Sequence, residues 1–320
     1  MTPIPKAARD PSGLERRWVP FPDGRSALQA LLECAAVPSG GRVLLPAYVG
    51  WSPREGSGVF DPIEALGLPY GFYRLDSSLR IDLDHLAREL DGGAAALVLI
   101  HYFGLVDPAA AEAARMARQR GIAVIEDEAH ALLTDLLFGS CGRLGDACIA
   151  SLKKLLPADG GGALVNPSGS ELFGSLEGTT GAGSPFEFDL VTVTRARQRN
   201  ATFLAAALEP LAGRVDVLRL AGADEVPQTL PVIVRSAPRD ELYERMNAAG
   251  FGVVSLYHTM VEAIPRDDFP ESFELARTIM NLPVHQQADE ESLTALVAEL
   301  DRLTRELGTP AGAAASRGTR

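Results

Sequence analysis

ALVLIHYFGLVDPAAAEAARMARQRGIAVIEDEAHALL at residues 96–133, followed by GDACIASLKKLLPADGGGAL at residues 145–164, decides how this chain folds. An apolar run ends in His101-Tyr102-Phe103-Gly104 and is followed by a segment with helical spacing. A second apolar run, Ile122 to Ile125, delivers Glu126-Asp127-Glu128-Ala129-His130. About two dozen residues on, a Ser-x-x-Lys pair (Ser151, Lys154) precedes Gly160-Gly161-Gly162. An acid at a strand end, then a lysine before a glycine-rich turn, is the arrangement that pyridoxal phosphate chemistry needs. The carboxylate keeps the pyridine nitrogen protonated so that the ring acts as an electron sink, and the lysine carries the aldehyde as a Schiff base.

Around this stretch, short apolar runs alternate with helix-patterned segments. A helix is expected over residues 26–36 and a buried strand over residues 41–46. Residues 72–75 (strand), 82–90 (helix), 96–100 (strand), 109–120 (helix), 122–125, 147–151 and 163–165 (strands) continue the series. Such alternation implies right-handed crossovers and a mostly parallel α/β sheet covered by helices on both faces. In open sheets of that kind ligands bind beyond the carboxyl ends of the strands, where these motifs fall. Residues 1–20 read as a polar arm, 21–211 as a large domain, 212–308 as a small α/β domain and 309–320 as a disordered tail. Residues 166–188 read as a loop, 189–211 as a long bridging helix. Within the small domain, strands are expected at 229–234 and 253–257, and helices at 240–249, 272–280 and 289–307.

Composition narrows the partners. With 30 basic and 42 acidic side chains the formal charge is −12, which argues against nucleic acid and anionic membranes as partners. An apolar share of 46% with 22% charged residues describes an ordinary globular protein. The N-terminal stretch has no apolar core of signal-peptide length, and no run approaches the ~18 apolar residues of a membrane span. Cys34, Cys141 and Cys148 are odd in number and lack CxxC spacing, so they read as core residues of a reducing, cytoplasmic protein rather than as disulfides or zinc ligands.

The motifs, in order, resemble those of the DegT/StrS-type sugar aminotransferases, a branch of the fold-type-I pyridoxal phosphate enzymes. That family runs GTxAL, PAYT, VHxYG, IEDxAQ, GD, FSF…K and GG. The counterparts here are Gly24-Arg25-Ser26-Ala27-Leu28, Pro46-Ala47-Tyr48-Val49, His101 to Gly104, Ile125 to His130, Gly145-Asp146, Ser151 to Lys154 and Gly161-Gly162. The resemblance extends from about residue 21 to residue 303. It implies pyridoxal 5'-phosphate as cofactor, a small-molecule amino donor and keto acceptor as partners, and a homodimer.

By resemblance, Asp127 pairs with the pyridine nitrogen, although an acid at a strand end also serves as a helix cap. His130 stands where the family has Gln, near the ring and its phenolic oxygen; a packed helix histidine is the other reading. Lys154 keeps the spacing from Ser151 and to the glycine pair, whereas aligning Asp159-Gly160-Gly161 with the family's EGG selects Lys153. The start of the helix at Arg25 and Ser26 offers amides to the phosphate, Arg25 adds a cation, and Ser151 adds a hydroxyl. The aromatic that the family places after PAYT is replaced by Gly50, which leaves Trp51 or Tyr48 to stack on the ring. A pyridoxal phosphate enzyme of another reaction type and a non-catalytic binding protein on the same fold stay open. A nicotinamide-dependent oxidoreductase does not, because no GxGxxG follows the first strand.

Overall fold

The computed structural model describes residues 16–35, 37–38, 40–179 and 183–308. Residues 1–15 of the expected arm and the expected tail lie outside the described residues. The elements are β1 (Arg17–Phe21), α1 (Gly24–Cys34), β2 (Arg42–Pro46), α2 (Asp61–Ala65), β3 (Tyr70–Tyr73), α3 (Leu83–Asp91), β4 (Ala94–Ile100), α4 (Ala110–Arg118), β5 (Ala123–Asp127), α5 (Leu132–Phe138), β6 (Ala147–Ser151) and β7 (Gly161–Val165). They continue with α6 (Ser170–Phe173), α7 (Leu190–Leu208), β8 (Val215–Val217), β9 (Thr229–Val234), α8 (Arg239–Ala248), α9 (Pro270–Thr278), β10 (Ile279–Pro283) and α10 (Glu290–Leu307).

Seven strands form one sheet in the order β1-β7-β6-β5-β4-β2-β3. The run from β3 to β6 is parallel, and β7 and β1 add antiparallel. The parallel strands are almost wholly apolar and buried, as strands covered on both faces must be. Their shared direction brings Pro46, Ile100, Asp127 and Ser151 to one edge of the sheet. A second, three-stranded antiparallel sheet, β10-β9-β8, has its own apolar cluster with α7, α8 and α10, built on Leu204, Val232, Met246, Leu282 and Leu300.

Several expectations are corrected. Residues 17–20 belong to β1, not to an arm: Val19 and Phe21 are buried on the sheet, and Pro20 is accommodated because β1 is an edge strand. Two helices and a strand escape the sequence pattern. The short α2 and α5 lack an apolar period, since α5 (LLTDLLF) buries its first four residues consecutively, and β8 has only three residues. The expected loop at 166–188 holds the single-turn α6. The helix expected over 272–280 stops at Thr278, and the chain runs straight on into β10. Residues 253–257 form no strand; only Val254 bridges to Asn281, because the chain turns at Tyr257 (φ 59°) and drives that ring into the interior. No helix among the described residues is long and apolar enough to cross a membrane.

Candidate active site

Asp127 is the last residue of β5, 5% exposed, with Oδ1 accepting the Ala129 amide at 2.8 Å. Burial raises its pKa above the usual carboxylate value; the Ala129 hydrogen bond and the charge of Lys154 oppose this. A single 3-10 turn, Leu152–Lys154, follows β6 and turns the two lysines apart. Lys153 is exposed and lies 3.8 Å from Glu55, while Lys154 is partly buried and close enough to Asp127 for the two charges to act on each other. Burial lowers the Lys154 pKa below the ordinary lysine value, with the charges of Asp127 and Glu55 restoring part of it. Of the two candidate lysines, the one facing the buried carboxylate is Lys154.

His130 is 4% exposed and stacks on Phe103 (centroids 6.1 Å apart, 18° between planes). Its Nδ1 accepts the Phe103 amide at 3.3 Å, which assigns the proton of the neutral ring to Nε2. Burial, and then the charge of Lys154, hold its pKa well below that of free histidine. The ring is therefore a neutral donor at physiological pH.

The helix end expected to hold a phosphate lies against the sheet edge. A Cβ on Gly161 would lie 2.5 Å from the Ala150 carbonyl oxygen and 2.7 Å from the Gly24 nitrogen, so only glycine lets α1 begin directly on β6 and β7, beside Ser151. This end is already capped: Asp23 Oδ1 accepts both the amide and the hydroxyl of Ser26 at 2.8 Å. The Arg25 guanidinium pairs with Asp61 at 3.2 Å and with the Glu55 carbonyl. The structure thus brings Asp127, His130, Ser151 and Lys154 together, puts Ser26 at the adjoining helix end, and gives the Arg25 charge an acidic partner.

Neither expected stacking residue has a free buried face. Trp51 is 43% exposed, and Tyr48 is wholly buried under Tyr257 (5.1 Å, 26°). Tyr257 is the residue that sequence reasoning missed. Its ring also meets Tyr102, Phe103 and His130 at 5.2–6.1 Å, and Asp127 acts on its hydroxyl. A Cβ at Gly50 would lie 2.9 Å from the Tyr257 ring, so the missing side chain at 50 is the space Tyr257 uses. Phe103 and Tyr257 both adopt φ 59°, a conformation costing roughly 1–3 kcal/mol for a residue other than glycine. Such strain gathers where a surface is shaped for binding, and here both residues face the same group of rings. The only signal for Tyr257 in the sequence is the glycine at position 50.

As a donor set, a half-buried amine, a buried carboxylate, a neutral imidazole and a helix start beside a hydroxyl fit pyridoxal phosphate: an attachment point, an acid for the pyridine nitrogen and a phosphate end. The Asp23 cap is the one element that opposes an anion.

Among solved structures, a DegT/DnrJ/EryC1/StrS aminotransferase from Brucella abortus superposes with a TM-score of 0.72 at 19% identity, covering 90% of this chain and 86% of that one. The aminotransferase TlmJ from Streptoalloteichus hindustanus gives 0.73 at 20% identity over the same shares. Spr1654 from Streptococcus pneumoniae, solved in its PLP form, gives 0.72 at 15% identity, covering 91% of this chain and 87% of that one. These likenesses show the fold, that of the fold-type-I aminotransferases. No curated protein matches the chain in sequence. The DegT/DnrJ/EryC1/StrS aminotransferase family matches residues 18–171, which hold β1 through β7 and every residue of the candidate site except Tyr257. Over residues 18–171, just under half of its length, the chain is similar to the DegT/DnrJ/EryC1/StrS aminotransferase family.

Proposed function

We propose that the chain is a pyridoxal phosphate-dependent aminotransferase that moves an amino group from an amino acid to a keto group of a sugar or related small metabolite. The observation that carries this reading is the facing pair Asp127 and Lys154 at the carboxyl edge of the parallel sheet, with Lys153 turned to solvent. Pyridoxal phosphate, when bound, supplies an electron sink that stabilises negative charge on the substrate carbon. Lys154 is the attachment residue. Its Nζ, with a pKa lowered by burial below the ordinary lysine value, would accept and return the substrate proton. The Asp127 carboxylate holds the proton on the pyridine nitrogen, and the shelter of the site strengthens that ion pair.

His130 Nε2–H donates toward the ring's phenolic oxygen. The Arg25 amide at the start of α1 and the Ser151 hydroxyl would hold the phosphate, and Ser26 would join them only on leaving the Asp23 cap. Tyr257, in place of an aromatic at position 50, closes the site and excludes water from the proton transfer; Trp51 stays at the mouth. The reading carries with it a homodimer, from the resemblance, and a cytoplasmic location, from the cysteine usage.

The test is a half-reaction. Protein loaded with pyridoxal phosphate should absorb in the visible, and an amino acid donor should bleach that band as the cofactor takes up the amino group. Failure to bind the cofactor refutes the reading. Binding without bleaching by any common amino acid favours the non-catalytic alternative, and carbon dioxide release or elimination in place of bleaching favours another reaction type.

A further inference from the structure

Behind Asp127, on the other side of the chain at the end of β5, lies a second group of titratable side chains that the proposed reaction does not use. Glu126 is wholly buried and accepts the amides of Gly142, Leu144 and Gly145, each at 2.8 Å. It also pairs with His101 Nε2 at 2.9 Å. A carboxylate filled with three amide donors accepts from the histidine, which puts the imidazole proton on Nε2 and leaves Nδ1 a bare lone pair. His101 is 1% exposed, and Nδ1 has no hydrogen-bond partner.

Glu128 is wholly buried, with Oε2 at 3.2 Å from Cys148 Sγ and Oε1 without a partner. Protonating Glu128 does not help Oε1, since a hydroxyl there would lack an acceptor. Cys141 is wholly buried, with a 3.9 Å contact to the Ala131 carbonyl and its thiol against the Glu128 carboxylate. One ligand atom from each of His101, Glu128 and Cys141 lies within 4.8 Å of the other two.

We propose that His101, Glu128 and Cys141 form a buried site for one divalent transition-metal ion of the zinc class, with Glu126 as the carboxylate behind the histidine. A buried imidazole, a carboxylate with an orphaned oxygen and a buried thiol, with ligand atoms within 4.8 Å of one another, offer a cation the partners that these groups lack. Nitrogen, thiolate and carboxylate oxygen are ligands that zinc takes together. A ligating imidazole with its other N–H held by a carboxylate is the usual support for such an ion. Zinc–ligand bonds of about 2.0–2.3 Å set neighbouring ligands roughly 3.3–3.8 Å apart, so binding asks for a modest inward movement of side chains. On binding, the Cys141 thiol loses its proton to solvent and the thiolate enters the coordination shell.

The adjoining set, Glu128, Asp135 and Cys148, also lies within 4.8 Å but already has a cation. The Arg16 guanidinium pairs with Asp135 and sits 3.0 Å from Cys148 Sγ. The proposed ion would tie the end of β4, the end of β5 and the segment after α5, a structural clamp directly behind Asp127. It goes beyond the aminotransferase reading and does not depend on it.

The test uses full-length protein without a histidine tag, stripped with a chelator and titrated with zinc. One ion per chain by mass spectrometry is expected, with a rise in melting temperature. Replacement by cobalt should give the intense red-region bands of a tetrahedral thiolate site, away from any pyridoxal phosphate absorbance. Cys141→Ser should abolish the thiolate signature and weaken zinc binding by at least about tenfold, the least that loss of even a supporting group costs. Cys34→Ser, on α1, should change neither. Glu128→Gln should weaken zinc while keeping the thiolate bands, which guards against misfolding of the cysteine variant. Absence of stoichiometric zinc, or cobalt bands that survive Cys141→Ser or vanish instead with Cys148→Ser, would overturn the site.

Discussion

Replacing Asp127 by asparagine keeps the oxygen that accepts the Ala129 amide at 2.8 Å and removes the charge facing Lys154. The fold and the chemistry should respond in opposite directions. For the fold, an unfolded aspartate titrates at about 3.9, and burial sets the folded value above that. Between the two values the native chain holds more protons than the unfolded one, so stability falls as pH rises through that window and stays lower above it. An asparagine at this position carries no such deficit, so at neutral pH the variant without cofactor should melt at or above the wild-type temperature. For the chemistry, the lost charge leaves the pyridine nitrogen without its counterion. Removing one preorganised electrostatic partner typically costs about 2.7–4 kcal/mol, or about 10²–10³ in rate. Calorimetry on the free protein and stopped-flow bleaching of the loaded protein read the two effects separately. Turnover within about threefold of wild type, roughly 0.7 kcal/mol, would make Asp127 only the residue that caps the Ala129 turn.

Ser151→Ala should weaken pyridoxal phosphate binding by about 10- to 150-fold, since a hydrogen bond to a charged group contributes about 1.5–3 kcal/mol. Arg25→Ala should cost less than about fivefold, because its guanidinium is engaged in a half-exposed pair with Asp61 worth about 0.2–1 kcal/mol; equilibrium titration with the cofactor ranks the two, and the reverse order would place the Arg25 charge on the phosphate. Tyr257→Ala should destabilise through loss of its ring contacts, by less than about 3–5 kcal/mol, the cost for a fully buried aromatic, because Tyr257 is partly exposed. Tyr257→Gly should be more stable than Tyr257→Ala by about 0.4–1 kcal/mol, against the usual order, because φ is 59° there; denaturant unfolding that finds alanine the better residue would show that the backbone at 257 is not left-handed.

The parallel sheet was legible because its strands are short apolar runs buried on both faces, and because α3 and α4 between them are amphipathic. The site residues were legible where chemistry fixes spacing along a strand: Asp127 closes β5, and Ser151 closes β6. The choice between Lys153 and Lys154 was not, because the 3-10 turn that points them apart has no signature of its own. Tyr257 was out of reach because its place depends on a turn that brings the segment after α8 back over β2, a long-range contact. Its alternating neighbours, Val253 to Tyr257, read as a strand. Three acids in a row at 126–128 carry no signature of burial in the sequence. The structure instead buries all three, Glu126 on amides and His101, Glu128 beside Cys148, because glycines 142 and 145 let the backbone close over them.

The most direct measurement of the central claim is borohydride reduction of the protein saturated with pyridoxal phosphate, followed by peptide mapping. The facing of Lys154 and Asp127 predicts that the cofactor is fixed at a single residue, Lys154, and that Lys153→Ala leaves the label in place. Label on Lys153, or no label on either lysine, would contradict the account.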